Sequence, residues 1–416
     1  MRILWICQMV PSTAEAIIGG EKELKKTGGW INGMASVLSK KKDIKLAIAA
    51  TTSSVNDITE IENNNIKYYA IPTSHAKTQK PWIKVNESFK PDVVHIHGTE
   101  YSHATTWIKS NGTLNTVVSL QGIMSSCAKY YYYGMSQWDV IKNITLRDLI
   151  KGTIFTDARK FSRLAKSERL ILQNISHVIG RTSWDHKQVW AINSKACYHF
   201  NNEILREDFY GMYEWKYSTC KIHSIFINQS AVPYKGFHIL LKAMPLILSK
   251  YPDTTISVAG FNICDMSFKR KLMRTGYGKY IKGLIKKMHL EKCISFKGPL
   301  NAFEMIEEYM KANVFVLPSS IENSSNALGE AQILGVPCIA SRVGGMENLI
   351  PNDNCGMLYR FSDIVELAYA ICHTFETSPS FNNTIMRTTA NMRHDRNVNA
   401  DTLIAIYHKI KEQQWK

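Results

Sequence analysis

No Cys-x-x-Cys pair occurs among the 9 cysteines of this chain. They are scattered and odd in number, which argues against a disulfide framework and a zinc site, and most are expected to act as small buried hydrophobes. No window approaches the roughly twenty uninterrupted apolar residues of a membrane-spanning helix. The opening Met1-Arg-Ile-Leu-Trp-Ile-Cys starts like a secretory signal, but Gln8, Pro11 and Glu15 interrupt it. It reads instead as a first strand, and a cytoplasmic location is expected. Low-complexity tracts and short repeats are absent. So are helix-turn-helix, zinc-finger and aromatic RNA-binding motifs, and no nucleic-acid partner is expected. Acidic residues are the scarcer sign, 35 against 51 basic, for a formal net charge of +16. An anionic membrane face and a diphosphate ligand are the simplest targets of that excess.

What is present is an alternation of strands and helices. At 416 residues the chain is too long for one ordinary core, so two domains are expected. Strand-like runs include Ile3–Cys7, Ile44–Ala50, Ile66–Ile71, Val93–Ile96, Thr116–Leu120 and His177–Gly180. A second series runs through His223–Asn228, Thr255–Ala259, Cys293–Phe296, Val314–Leu317 and Pro337–Ala340. Helical spacing lies between them, notably at Trp30–Lys40, Phe155–Asn174, Gly236–Lys250 and Phe303–Lys311. The alternation predicts an α/β fold of parallel sheets covered by helices on both faces. Arg206–Lys221, rich in Tyr, Trp and charge and poor in periodicity, marks the boundary. The expected domains are 1–208 and 218–390, with a further helix in 395–416.

The densest signal is Phe315–Arg342, FVLPSSIENSSNALGEAQILGVPCIASR. It reads as strand, loop, helix, strand. Pro318 ends the first strand, Ser319–Ser325 is a polar loop, Leu328–Leu334 has helical spacing, and Gly335-Val-Pro337 stops the helix. Glu322 and Glu330 stand on either side of the loop-to-helix transition. In open parallel sheets, ligands sit beyond the strand C-termini, and helix N-termini there favour phosphate. A carboxylate within such a helix can accept hydrogen bonds from two sugar hydroxyls.

In these residues, Glu322-x7-Glu330, the following LGVPCIAS and Gly344-Gly345, the chain resembles glycosyltransferase family 4. The likeness is strong from about Ser224 to Gly356 and looser before it. That family has the GT-B fold: two Rossmann-like, doubly wound parallel-sheet domains facing across a cleft, with the last helix crossing back to the first domain. The resemblance implies a retaining transferase that moves a sugar from a nucleoside diphosphate to an acceptor hydroxyl, with no cofactor and no obligatory metal. It gives Glu322 the transferred sugar and Glu330 the ribose of the nucleotide. Bacterial enzymes of surface polysaccharide synthesis are the nearest functional type, with an oligosaccharide or lipid-linked acceptor. The rival reading is a non-catalytic sugar- or lipid-binding protein on a degenerate form of the fold.

Other candidates follow from position. Lys235 lies just before a predicted helix, where its ammonium can meet a diphosphate. The family's usual arginine five residues earlier is Ser230 here, and the histidine many members carry at the end of another strand is Gln121. Glutamine cannot act as a base, but it can orient a donor sugar by hydrogen bonds. Backbone N–H near Asn326, Ala327 and Leu328 can stabilise the leaving diphosphate. Gly28 and Gly29 match the family's glycine pair near the donor phosphates. His95 and His97 share a strand face: His95 is expected in the core and His97 near the ligands, with no metal pair. Arg181 at a strand end can pair with phosphate. Glu100, Tyr130 and Tyr131 are candidates for the acceptor side. Two basic amphipathic stretches, Lys142–Arg169 and Lys269–Lys287, suit peripheral contact with anionic lipid on the inner face of the membrane.

Overall fold

A computed structural model describes residues 1–8, 14, 18, 29–265 and 273–413. The chain divides into two compact units. One comprises Met1–Met124, Arg163–Arg206 and His394–Lys416; the other comprises Ser125–Ser162 and Glu207–Arg393.

The first unit carries an eight-stranded sheet. Its strands are β1 (Arg2–Cys7), β2 (Lys45–Thr52), β3 (Thr59–Asn63), β4 (Ile66–Pro72), β5 (Val93–His97), β6 (Thr116–Ser119), β7 (His177–Gly180) and β8 (Cys197–Phe200). They lie in the order β3-β4-β2-β1-β5-β6-β7-β8, all parallel except β3 against β4. The central strand β1 is buried from Ile3 to Cys7 on both faces, which is why it reads as an unbroken apolar run. β3 was not expected. It joins β4 through Asn64 and Asn65, both left-handed at φ 51° and 62°, the conformation a tight hairpin requires. Its Thr-Glu-Ile-Glu-Asn sequence is a charged edge, with Glu60 bridged to Lys67 at 2.8 Å. β8 was likewise not expected.

The helix Arg396–Gln413 belongs to this unit. Its buried Tyr407 accepts from Trp5 Nε1 at 2.9 Å and meets His95 Nδ1 at 2.7 Å, which fixes it on β1 and β5. Glu168, 1% exposed, accepts from Thr99 Oγ1 at 2.7 Å and from Met124 N at 2.9 Å. One buried carboxylate thus holds the segments that follow β5 and β6.

The second unit has a six-stranded, all-parallel sheet. β9 (Ser224–Ile227), β10 (Thr255–Ala259), β11 (Ile294–Gly298), β12 (Val314–Leu317), β13 (Cys338–Ser341) and β14 (Met357–Tyr359) lie in the order β11-β10-β9-β12-β13-β14. The period of two sorts its side chains between two apolar layers. Ile225, Ile227, Val314 and Val316 pack with Phe237, Leu240 and Met244 on one face. Phe226, Phe315 and Leu317 pack with Tyr309, Leu328 and Leu334 on the other. Tyr131, Met135, Val140 and Ile154 join the first of these layers, so residues 125–162, continuous in sequence with the first half, group with this unit. Among the described residues, no helix is long and apolar enough to cross a membrane.

Candidate active site

In the second unit, the chain leaves β9 toward β10 and β11 on one side and returns to build β12, β13 and β14 on the other. The switch in direction therefore lies between β9 and β12, the place where open α/β sheets leave a crevice for ligand. The segments that follow these strands carry Lys235 and Glu322. Because the strands are parallel, both side chains emerge at the same edge of the sheet.

They meet there. Lys235 Nζ donates to Glu322 Oε1 at 2.6 Å, and Ser319 Oγ donates to the same oxygen at 2.8 Å. The pair is largely enclosed, at 18% and 12% exposure. Burial works against the ammonium, but Glu322, with Tyr234 beside it, outweighs that and holds the Lys235 pKa above its ordinary value. The lysine is a fixed cation at neutral pH. Only one of its three ammonium protons is committed to Glu322, leaving capacity for an anionic ligand.

Local backbone contacts position both residues. Gly236 follows Lys235 in the left-handed region at φ 72° and opens the helix Phe237–Lys250. A Cβ here would collide with the Pro318 carbonyl oxygen, so glycine is required on both conformational and steric grounds. Ser320 N donates to Tyr234 O at 2.8 Å, and Ser320 Oγ to Tyr130 O at 2.6 Å. Gly345 N donates to Glu322 O at 3.1 Å, and Gly344 at φ 53° lies against the same carbonyl. Ser341 Oγ donates to Ser319 O. The segments after β9, β12 and β13 are thereby tied into one framework. Ser319 and Ser320 were not singled out in the sequence; a serine pair after a strand carries no signal of its own.

The helix Asn326–Leu334 starts beside this pair. Ser325 caps it, accepting from Leu328 N at 3.4 Å, and its N-terminus favours negative charge. Asn326, Ala327 and Leu328 form its first turn. Glu330, one turn further, is 5% exposed, and Ser230 is 2% exposed. An enclosed glutamate on such a helix differs from the solvated surface carboxylate its sequence alone would allow.

In the first unit, Gln121, Arg181 and Glu203 form one cluster. Arg181 pairs with Glu203 Oε1 at 2.6 Å and donates to Leu120 O at 2.8 Å and Gln121 O at 3.2 Å. Gln121 Nε2 donates to Glu203 Oε1 at 3.2 Å. The Arg181 guanidinium is thus occupied in holding the chain at Gln121. His97 is buried, lies 3.4 Å from Ser119 Oγ, and packs on His95 and Trp5 at ring distances of 3.9 Å and 4.7 Å. Burial, with His95 and His103 nearby, pushes its pKa well down, so it is neutral. A cavity of about 40 Å³, lined in part by His97, Arg181, Glu203 and Leu403, is large enough for an ordered water.

Glu100 folds back over Gly98, whose φ is 90°. Burial pushes its carboxyl up to about 7, and its Oε2 has no hydrogen-bond partner. Gly29 begins the helix Gly29–Leu38, while Gly28 lies outside the described residues. Of the tyrosines, Tyr130 is half-buried and packs edge-on to Tyr133 at 5.7 Å. Tyr131 is 5% exposed among Phe161 and Tyr234, at 5.3 Å and 5.6 Å, and leaves no open ring face for a sugar.

Residues 223–389, which include β9 to β14, match the family model of glycosyl transferases group 1. This stretch resembles the group 1 glycosyltransferases in sequence. It contains Lys235, Glu322 and Glu330. A D-inositol 3-phosphate glycosyltransferase from Corynebacterium urealyticum is 30% identical over 124 residues. That match covers 30% of this chain and 28% of the relative, so the chain spans less than a third of the length of this curated relative. Over the whole chain the likeness is one of fold. Sucrose-phosphate synthase from Thermosynechococcus elongatus superposes with a TM-score of 0.71 at 14% identity, covering 98% of each chain. HepE from Anabaena, solved in complex with UDP, gives 0.64 at 16% identity, covering 98% of this chain and 100% of its own. The two sheets of this chain therefore have the GT-B fold.

Proposed function

We propose that this protein transfers a sugar from a nucleoside diphosphate sugar to an acceptor hydroxyl with retention of anomeric configuration. The observation that carries the reading is the Lys235–Glu322 pair at the sheet's switch point, beside the N-terminus of the helix Asn326–Leu334. The diphosphate would take Lys235 and the first-turn N–H groups of Asn326, Ala327 and Leu328, which stabilise the charge that grows as the glycosidic bond breaks. Glu322 would face the transferred sugar, and Glu330 would accept from the ribose hydroxyls. The acceptor oxygen would attack the face from which the diphosphate departs. Within the first unit, Gln121 and His97 would offer neutral hydrogen bonds to a ligand of that unit; burial holds His97 neutral, which suits no cationic role. No obligatory metal enters this scheme. UDP, the nucleotide bound by the HepE structure, is the first donor base to test.

The acceptor is proposed to be a growing surface polysaccharide, oligosaccharide or lipid-linked, met at an anionic membrane face. Support comes from Trp138, Ile141, Leu146, Leu149 and Ile150, large apolar side chains that all stand exposed, Ile150 at 83%. Lys142, Arg147 and Lys151 are interleaved with them. Apolar side chains with interspersed cations are the composition that seats a protein on anionic lipid. The second basic stretch is described only from residue 273, where Gly276–Lys287 is helical.

Thermal unfolding across a panel of nucleoside diphosphates and their sugars tests the reading. A ligand that binds only the folded chain raises the melting temperature. Stabilisation by one nucleotide, together with its release from the matching sugar donor, is the expected result. Stabilisation without any turnover in the presence of acceptor glycans would favour a non-catalytic sugar-binding protein.

A further inference from the structure

Away from the candidate active site, β7 and the edge strand β8 bring together His177, Cys197 and His199. Their ligand-capable atoms all lie within 4.8 Å of one another. The register places Cys197 opposite His177, and His199 lies two residues along β8 on the same face. Sequence spacing could not reveal the group, because His177 comes from a different strand. His177 Nδ1 and His199 Nε2 are 3.0 Å apart, and their rings stack at a centroid distance of 5.3 Å. Both histidines are buried, whereas Cys197 is partly exposed and offers an approach from solvent.

We propose that His177, Cys197 and His199 form a binding site for a borderline or soft divalent metal ion such as Zn²⁺, with a fourth position open to water. Two imidazoles and one thiolate are the donor set such ions prefer, and tetrahedral sites with three protein ligands commonly keep one open position. Both rings are held neutral. Burial lowers the pKa of each, and Lys409 acts in the same direction; for His199 the value falls to about 4. A neutral imidazole offers the metal a lone pair.

In the metal-free pair one ring donates an N–H to the other. On binding, that ring carries its proton on its outer nitrogen instead, and the Cys197 thiol releases its proton to solvent. Two features outside the ligand set bear on the site. The Gln413 side chain lies close enough to His177 to act on its pKa, the kind of outer neighbour that orients a ligating histidine. Lys409 Nζ donates to Cys197 Sγ at 3.5 Å and must swing aside for the metal. The bound ion would clamp β8 to β7, the strands that lead directly into Glu203 and Arg181.

Co²⁺ added to the full-length protein reports the ligand set by absorption. The wild type should take up one equivalent, with a thiolate-to-metal charge-transfer band and visible bands typical of tetrahedral cobalt, and Zn²⁺ should bleach both. Cys197→Ser should lose the charge-transfer band, while Cys127→Ser keeps it. His199→Gln should weaken Zn²⁺ by more than about 100-fold, beyond the usual cost of losing an outer-shell partner. Lys409→Ala, which removes a competing cation without removing a ligand, should tighten Zn²⁺ binding. It also provides a test that does not depend on the ligand variants folding. Absence of the charge-transfer band in the wild type, its survival in folded Cys197→Ser, or unchanged or weaker Zn²⁺ binding by Lys409→Ala would overturn the assignment.

Discussion

Lys235 and Glu322 are joined by a 2.6 Å ion pair although 87 residues separate them in the chain. Each follows one of the two strands that flank the direction switch of the second sheet. Ser319 adds a second donor to the same carboxylate oxygen, and Gly236 and Gly344 allow the backbone approaches that set the pair in place. The cation is therefore pre-positioned, so a diphosphate would meet an ordered site.

Glu330→Ala should weaken nucleoside diphosphate binding by tenfold or more, the scale expected when a charged hydrogen-bond acceptor is lost at about 1.5–3 kcal/mol. Titration calorimetry with the stabilising nucleotide measures it. Equal affinity in wild type and variant would remove Glu330 from the ribose.

Arg181 and Glu203 are both largely enclosed, at 5% and 13% exposure. Deleting one partner leaves an uncompensated charge, and each of Arg181→Ala and Glu203→Ala should cost about 3 kcal/mol. The double variant should lose much less than the sum. Chemical denaturation of all four proteins gives the coupling; strict additivity would mean that the pair does not hold the Gln121 segment.

The central strands of both sheets were legible because buried parallel strands are continuous apolar runs, as β1 and β12 show. The strand, stop and helix that frame Glu322 and Glu330 could be read because they follow one another in order. The edge strands β3 and β8 escaped notice: Thr-Glu-Ile-Glu-Asn and Cys-Tyr-His-Phe lack a long apolar run, and an edge needs none. The assignment of residues 125–162 to the second unit was also hidden. Tyr131, Met135 and Val140 carry no mark of which core they enter, since both partner layers are equally apolar. Arg181 illustrates the same limit. A basic residue at a strand end suits phosphate, yet its three partners here come from loops far away in sequence.

Glu100 should tilt the pH dependence of stability. Its folded pKa is about 7 against an ordinary 4.5, so the folded chain holds the extra proton between those values. The stabilising contribution is complete below 4.5 and is lost as pH rises through 7, up to about 3 kcal/mol. The buried His95 and His103, pushed down to about 3 and 4, act in the opposite sense, destabilising the fold as pH falls below 6.5. Comparing Glu100→Gln with wild type at each pH cancels the histidine terms. The variant's stability relative to wild type should rise from pH 5 to pH 8. A pH-independent difference would show that Glu100 is not burdened by burial.

Leu149→Asp with Ile150→Asp should reduce co-sedimentation with vesicles containing anionic lipid by at least about tenfold, since each change removes exposed apolar area and adds repulsive charge. Donor turnover in solution should change little. Undiminished binding to such vesicles would remove this surface from membrane contact.

Release of nucleoside diphosphate from the matching sugar donor, compared among wild type, Lys235→Ala and Glu322→Gln, decides whether this ion pair serves sugar transfer. Loss of one electrostatic stabiliser of a departing anion lowers turnover by about 10²–10³. Lys235→Ala should show that loss, and Glu322→Gln should lower turnover while the nucleotide still stabilises the fold. Wild-type turnover in both variants would contradict the assignment of the reaction to this pair.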